Sequence, residues 1–206
     1  MTQFTKYMHI ERYPCSEVDG ITNGKTYIFP KLDGTNSSVW LGEDGELCAG
    51  SRNNKLTEQW DNRGFLARMK MSPWCLDFLK EHPTYIIYGE YLVPHTLKDY
   101  AIGAWDKFYV FDVLDTENHR WLSYEEYRDL LLPAGFNVIP PLAVLNNPAL
   151  DDEEIQSYLN NNHYLMIDET HIGEGIVIKN YNYQNPYGRV TWAKVVTPVF
   201  KNNSRA

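Results

Sequence analysis

The chain has three cysteines in 206 residues (Cys15, Cys48, Cys75), an odd number with no C-x-x-C spacing. That excludes a disulfide framework and a cysteine-built zinc site, and leaves buried, reduced, inert thiols in a cytoplasm as the expectation. No apolar run approaches the roughly 18–20 residues that a membrane-spanning helix needs. The N-terminus, Met1-Thr2-Gln3-Phe4-Thr5-Lys6, lacks the apolar stretch of a secretory leader. There is no internal repeat and no low-complexity segment. Basic residues are also in short supply: 19 Lys and Arg against 27 Asp and Glu give a net charge of −8. Bulk attraction to nucleic acid is therefore expected to be modest, with any binding local and salt-sensitive.

The charge is unevenly spread. Residues 110–178 hold thirteen acids and two bases, Arg120 and Arg128. Residues 179–206 hold five bases (Lys179, Arg189, Lys194, Lys201, Arg205) and no acid. Residues 51–70 carry Arg52, Lys55, Arg63, Arg68 and Lys70 against Glu58 and Asp61. The acidic middle reads as a solvated outer face, and phosphate contacts are expected chiefly from Arg52, Arg63, Lys201 and Arg205.

Patterning predicts more strands than helices. After the apolar run Tyr27-Ile28-Phe29, residues 37–52 read as a hairpin turning at Glu43-Asp44-Gly45. Residues 62–81 read as helix, interrupted at Ser72-Pro73, and strands follow at about 85–92 and 107–114. Ser123 and Glu126 form a capping box that opens a helix to about Leu132. A strand near 137–144, a helix at about 151–161 and strands at about 174–181 and 189–196 complete the series. The expected fold class is α+β: two mainly antiparallel sheets packed face to face, with flanking helices. The length suits one domain over residues 1–206.

The most informative segment is Lys31-Leu32-Asp33-Gly34-Thr35-Asn36. It sets a lysine, a carboxylate and a glycine on one turn after an apolar strand. An unprotonated lysine so placed suits nucleophilic attack on phosphorus. A surface lysine entering an Asp-Gly turn is the plainer use. Four fixed identities at this spacing arise by chance in roughly one chain of this length in a thousand.

This hexamer resembles the KxDGxN nucleophile motif of the covalent nucleotidyltransferases, the superfamily of ATP-dependent polynucleotide ligases and mRNA-capping enzymes. Similar motifs follow in the family's order: Ser51-Arg52-Asn53, Tyr88-Gly89-Glu90-Tyr91, Phe108-Tyr109-Val110-Phe111-Asp112-Val113, Glu174-Gly175-Ile176-Val177-Ile178-Lys179 and Trp192-Ala193-Lys194-Val195-Val196. The ordered array spans roughly residues 25–200 and is far more specific than any one motif. Asn36, where DNA ligases and capping enzymes usually have arginine, turns the resemblance toward RNA ligases. Three departures stand out: Asp33 where many RNA ligases have histidine, Pro30 where many have an acid, and Trp192 in place of a first lysine.

The resemblance implies an ATP-dependent RNA ligase, or its adenylyltransferase domain, with the nucleotide in a groove between the sheets. Lys31 would form lysyl-AMP, and Lys179 and Lys194 would stabilise charge on the α-phosphate and favour unprotonated Lys31. Glu90 would bind the ribose hydroxyls. Glu174 would bind magnesium or manganese, directly or through water. Both carboxylates lie beside glycines in apolar strands and need a partner, for which an arginine such as Arg52 is the structural alternative. Phe111 is the expected adenine-stacking ring, sharing a strand face with Tyr109. Arg52 would contact phosphate or ribose, and Asp33, Gly34 and Asn36 would shape the pocket around Lys31. The implied partners are RNA ends, a 5′-phosphate and a 3′-hydroxyl, with no membrane; no protein partner can be read. A C-terminal accessory domain, usual in these enzymes, is not expected in this chain. The alternatives are a DNA ligase of unusual motif, a capping guanylyltransferase and a non-catalytic RNA-binding relic of the fold.

Overall fold

The computed structural model describes residues 2–198 and 200. In chain order its elements are β1 (Glu11–Arg12), β2 (Lys25–Lys31), β3 (Thr35–Leu41), β4 (Leu47–Ser51), α1 (Phe65–Lys70), α2 (Pro73–Glu81), β5 (Tyr85–Leu92), β6 (Lys107–Asp115), β7 (Arg120–Trp121), α3 (Tyr124–Leu131), β8 (Asn137–Val138), β9 (Ala143–Asn146), α4 (Asp152–Asn160), β10 (Gly175–Lys179) and β11 (Ala193–Val196). They fall into two compact units. One comprises Met1–Tyr7, Gly34–Val93 and Asp106–Val138; the other comprises Met8–Asp33, Pro94–Trp105 and Ile139–Ala206.

The first unit is built on a sheet of order β4-β3-β5-β6-β7, antiparallel throughout, with β8 beside β6 in parallel. Its β-branched and aromatic strands bury Val39, Trp40, Ile86, Ile87, Val110 and Val113 almost completely. Helix α1 lies against β4 and brings in Phe65, Leu66 and Met69. Each such apolar side chain contributes about 1.5–3 kcal/mol on burial.

The second unit carries a sheet of order β1-β11-β10-β2-β9, antiparallel except for the short β1–β11 pair. One face packs Ile28, Ile176, Ile178 and Ala193 with Val18, Ile21 and the α4 residues Ile155 and Leu159. Pro30 is tolerated inside β2 because β9 stops at Ala143, opposite Ile28. Two residues beyond Ile28 no ladder partner is present on that side, so the missing N–H forfeits no bond. Two mainly antiparallel sheets with a few helices agree with the expected fold class.

Four expectations change. The strand expected at 137–144 is two short strands in different sheets, because Pro140 and Pro141 cannot continue a ladder. Helix α1 starts at Phe65 rather than 62, since Asn62, Arg63 and Gly64 all have positive φ. There the Asp61 carboxylate accepts from the Leu66 and Ala67 amides and ties down the helix start. The last two strands, expected at about 174–181 and 189–196, are the shorter Gly175–Lys179 and Ala193–Val196. Cys48 and Cys75 are buried, and burial pushes the Cys75 thiol up to about 12, but Cys15 is only half-buried. The capping box at Ser123 forms as read, with Glu126 reaching back to the Ser123 amide at 2.7 Å.

Gly175 of β10 packs tightly against β11: a Cβ built there would sit 2.1 Å from the Val195 carbonyl oxygen. Backbone cannot yield as a side chain does, so Gly175→Ala should destabilise the protein by about 1–3 kcal/mol or more. Gly103→Ala, with nothing within 4 Å of its Cβ, should be close to neutral. Urea unfolding of both variants checks this; equal midpoints would show that the sheet accommodates the methyl.

Candidate functional site

Strand alternation sets Lys31, Lys179 and Lys194 of the second unit on one face of its sheet. Gly175 is opposite Lys31, Val177 opposite Phe29 and Lys179 opposite Tyr27, while Val177 is also opposite Lys194. Paired residues point the same way, so Lys31, Lys179 and Lys194 share the face turned away from the Ile28–Ile176–Ile178 cluster. Lys179 is almost fully buried, with its Nζ 4.9 Å from the Phe29 ring centre and 5.7 Å from that of Trp192. Trp192 thus supplies an aromatic wall to a lysine where related motifs often have a further lysine.

Lys31 Nζ lies 2.5 Å from Glu174 Oε2. Glu174 is 6% exposed, and the Lys31 side chain is 24% exposed. Burial pushes the Glu174 carboxyl above its usual range, the nearby Lys31 pulls it back part of the way, Asp33 adds to the rise and Lys194 opposes it. Burial is the largest of these, and the pair is tenable because each partner answers the other's charge. The partner Glu174 needed is therefore Lys31, not Arg52.

The turn after Lys31 is held from the side chain of Asp33. This buried carboxylate accepts from the backbone N–H of Thr96 (2.8 Å) and Leu97 (2.6 Å), and its other oxygen meets His95 Nδ1 at 2.8 Å. The Asp33 amide donates to the Tyr100 hydroxyl at 2.9 Å. His95, Thr96 and Tyr100 escaped the sequence reading; Pro94-His95-Thr96, just after a strand, was the one available hint.

The first unit holds Gly34, Asn36, Arg52, Glu90 and Phe111. Glu90 accepts from the Gly34 amide at 2.9 Å and is the ladder partner of Asn36. A Cβ on Gly34 would lie 2.4 Å from the Tyr91 carbonyl oxygen, so glycine is required by close approach of backbone. Asn62, also unforeseen, accepts from the Thr35 hydroxyl (2.9 Å) and donates to Ser37 Oγ (3.1 Å), bracing β3 beside Asn36. A bulge between Tyr88 and Gly89 interrupts the alternation of β6. Tyr109 pairs with Glu90 and Asp112 with Tyr88, which leaves Phe111 between them, its ring 4.9 Å from that of Tyr7. The regular alternation of Tyr109 and Phe111 expected from sequence does not extend through this bulge. Arg52 is exposed in the loop after β4.

The RNA ligase family matches residues 25–196. The chain belongs to the RNA ligase family. The match takes in every strand from β2 to β11 and all the lysines of the shared face. No curated protein sequence is similar enough to count as a match. Among solved structures, the chain resembles a Naegleria gruberi RNA ligase with PPi at a TM-score of 0.71 and 19% identity, covering 98% of this chain and 58% of that one. A mutant of the Naegleria gruberi RNA ligase with ATP and Mn gives 0.70 at 18% identity, covering 98% and 59%. An archaeal ATP-dependent RNA ligase gives 0.69 at 21% identity, covering 98% and 50%. At these identities the likeness is one of fold, and the chain spans only half to three-fifths of those chains.

The ion pair makes a pH-dependent prediction. The Glu174 carboxyl titrates above its unfolded value of 4.5, so the folded state holds that proton more tightly and loses stability as pH rises through the raised value. Lys31→Met removes the group that pulls the value back, extending this loss to higher pH. The variant should unfold near the wild-type midpoint at pH 5 and fall behind by roughly 3 kcal/mol at pH 8. Urea titrations at the two pH values measure it; an equal deficit at both would mean that Lys31 stabilises by packing alone.

Proposed function

We propose that the protein is an ATP-dependent RNA ligase, or the adenylyl-transferring part of one. Lys31 Nζ attacks the α-phosphate of ATP, forming a Nζ–phosphorus bond and releasing pyrophosphate as the amine loses its proton. The adenylate then passes to an RNA 5′-phosphate, restoring Lys31. An RNA 3′-hydroxyl finally attacks that phosphate, forming the phosphodiester and releasing AMP. The observation that carries this reading is the face bearing Lys31, Lys179 and Lys194, with Lys31 paired to a buried carboxylate. Such a face offers an amine nucleophile beside two cations able to offset charge that develops on a phosphate.

Further roles follow from position. Lys31 must leave Glu174 to react, and the turn clamped through Asp33 limits where its amine can go. Glu90, which anchors Gly34, binds the ribose hydroxyls; Asn36 and Gly34 shape the turn; Phe111 stacks on adenine; and Arg52 holds phosphate. Arg63 adds a second basic contact, while Lys201 and Arg205 lie outside the described residues.

Among the described residues no three His, Cys, Asp or Glu side chains cluster as a metal site. A lone carboxylate nonetheless fits magnesium or manganese, because such a cation takes one or two carboxylates and completes its shell with phosphate oxygens and water. Glu174 is that carboxylate, and the ion would neutralise charge on the nucleotide phosphates. A cytoplasmic setting agrees with three free cysteines, and among the described residues no helix is long and apolar enough to cross a membrane.

Incubation with ATP and magnesium should add one adenylate to the intact mass, and Lys31→Ala should abolish the addition while leaving the fold unchanged. An adduct on the variant would mean another nucleophile; an adduct from GTP instead of ATP would point to capping chemistry.

The two carboxylates should separate on metal. When magnesium is limiting, Glu174→Ala should lower adenylylation more than Glu90→Ala, and only the former should shift the metal concentration needed for half-maximal rate. An unmoved magnesium requirement in Glu174→Ala would remove that residue from the metal.

A further inference from the structure

The loop between β4 and α1 carries a feature that nucleotide chemistry does not use. Its shape is fixed from within. Ser51 N–H donates to Asn54 O and Leu56 N–H to Ala49 O, both at 2.8 Å, and Leu56 is buried. Thr57 and Trp60 close a tight turn, with Trp60 N–H donating to Thr57 O at 2.9 Å. On this ordered turn Trp60 is 77% exposed, the most exposed of the six tryptophans. Beside it opens a cavity of about 540 Å³ whose lining includes Lys55, Gln59, Trp60 and Asn62.

The loop's charges are arranged to favour an anion. Its two acids are occupied: Glu58 Oε1 lies 3.3 Å from Lys70 Nζ, and Asp61 accepts from the α1 amides. Arg52, Lys55 and Arg63 are exposed. A large flat ring exposed at the rim of a cavity that Lys55 also lines suits a nucleotide strand, the base stacking on the indole and a phosphate meeting the lysine. A protein-binding patch of this kind would instead have an apolar centre depleted of charge.

We infer that residues 52–63 form a docking loop for an RNA strand, with Trp60 stacking on an unpaired base and Lys55 on an adjacent phosphate. The inference rests on reading the chain as an RNA-joining enzyme and adds where that RNA is held. The test uses the full chain and a 5′-phosphorylated single-stranded RNA labelled with fluorescein at its 3′ end, with affinity read by anisotropy and lysyl-AMP by intact mass. Trp60→Ala should weaken binding roughly tenfold, within the range for one base stacked on an aromatic ring. Trp60→Phe should restore most of it. Lys55→Ala should reduce the slope of log affinity against log salt by about 0.7, one phosphate of a single strand. Neither Trp60→Ala nor Lys55→Ala should slow lysyl-AMP formation. Unchanged affinity in Trp60→Ala would overturn the inference, as would a parallel loss of lysyl-AMP or competition by polyglutamate as effective as by RNA. A wild type that forms no lysyl-AMP, yet loses RNA binding in Trp60→Ala, would overturn the ligase reading and support the docking loop.

Discussion

A buried carboxylate left without a partner costs several kcal/mol, and Glu174 is buried. Lys31 makes it tenable, and much of the second unit follows from that pairing. The lysine must end β2 and the glutamate must immediately precede β10, so the two strands are held in the register that sets Gly175 opposite Lys31. Gly175 in turn lets β11 come close enough to place Lys194 beside Val177. A slip of one residue would turn the lysines into the apolar cluster and Ile28 and Ile178 out of it. The ionic and hydrophobic requirements therefore specify the same alignment.

The two faces of that sheet are chemically unlike. One is aliphatic and closed by α4; the other sets aromatic rings among its lysines. Lys179, buried against Phe29 and Trp192, keeps its charge near ring faces rather than in water. Trp192, read from sequence as a missing lysine, is part of how the remaining one is accommodated. The departure at Pro30 is likewise harmless, because it falls where β2 has lost its second neighbour.

Fold class and most element positions were legible because β-branched alternation, the Ser123 capping box and the Gly and Pro breaks are local signals. The strand expected across Pro140-Pro141 failed because an apolar run outweighed two residues that forbid a ladder. The motif array singled out Lys31, Glu174, Lys179 and Lys194, and the strand pairing sets the three lysines on one face. What holds them in place was not legible: His95, Thr96, Leu97 and Tyr100 reach Asp33 across more than sixty positions, and no local pattern announces such contacts. The bulge beside Gly89 was equally hidden, since a glycine in a strand marks several possible irregularities without saying which.

The chain passes from one unit to the other after residues 7, 33, 93, 105 and 138. Neither unit is a continuous stretch of sequence, so neither can be excised by cutting once. The order of synthesis sharpens this. β2 leaves the ribosome early, but its neighbours β10 and β9 lie more than a hundred residues downstream. Until they emerge, Tyr27, Ile28 and Phe29 have no strand to pair with and their apolar surface stays open. The newborn chain thus carries an unmated strand through most of its translation, a burden on the cell that makes it and a natural point of engagement for chaperones.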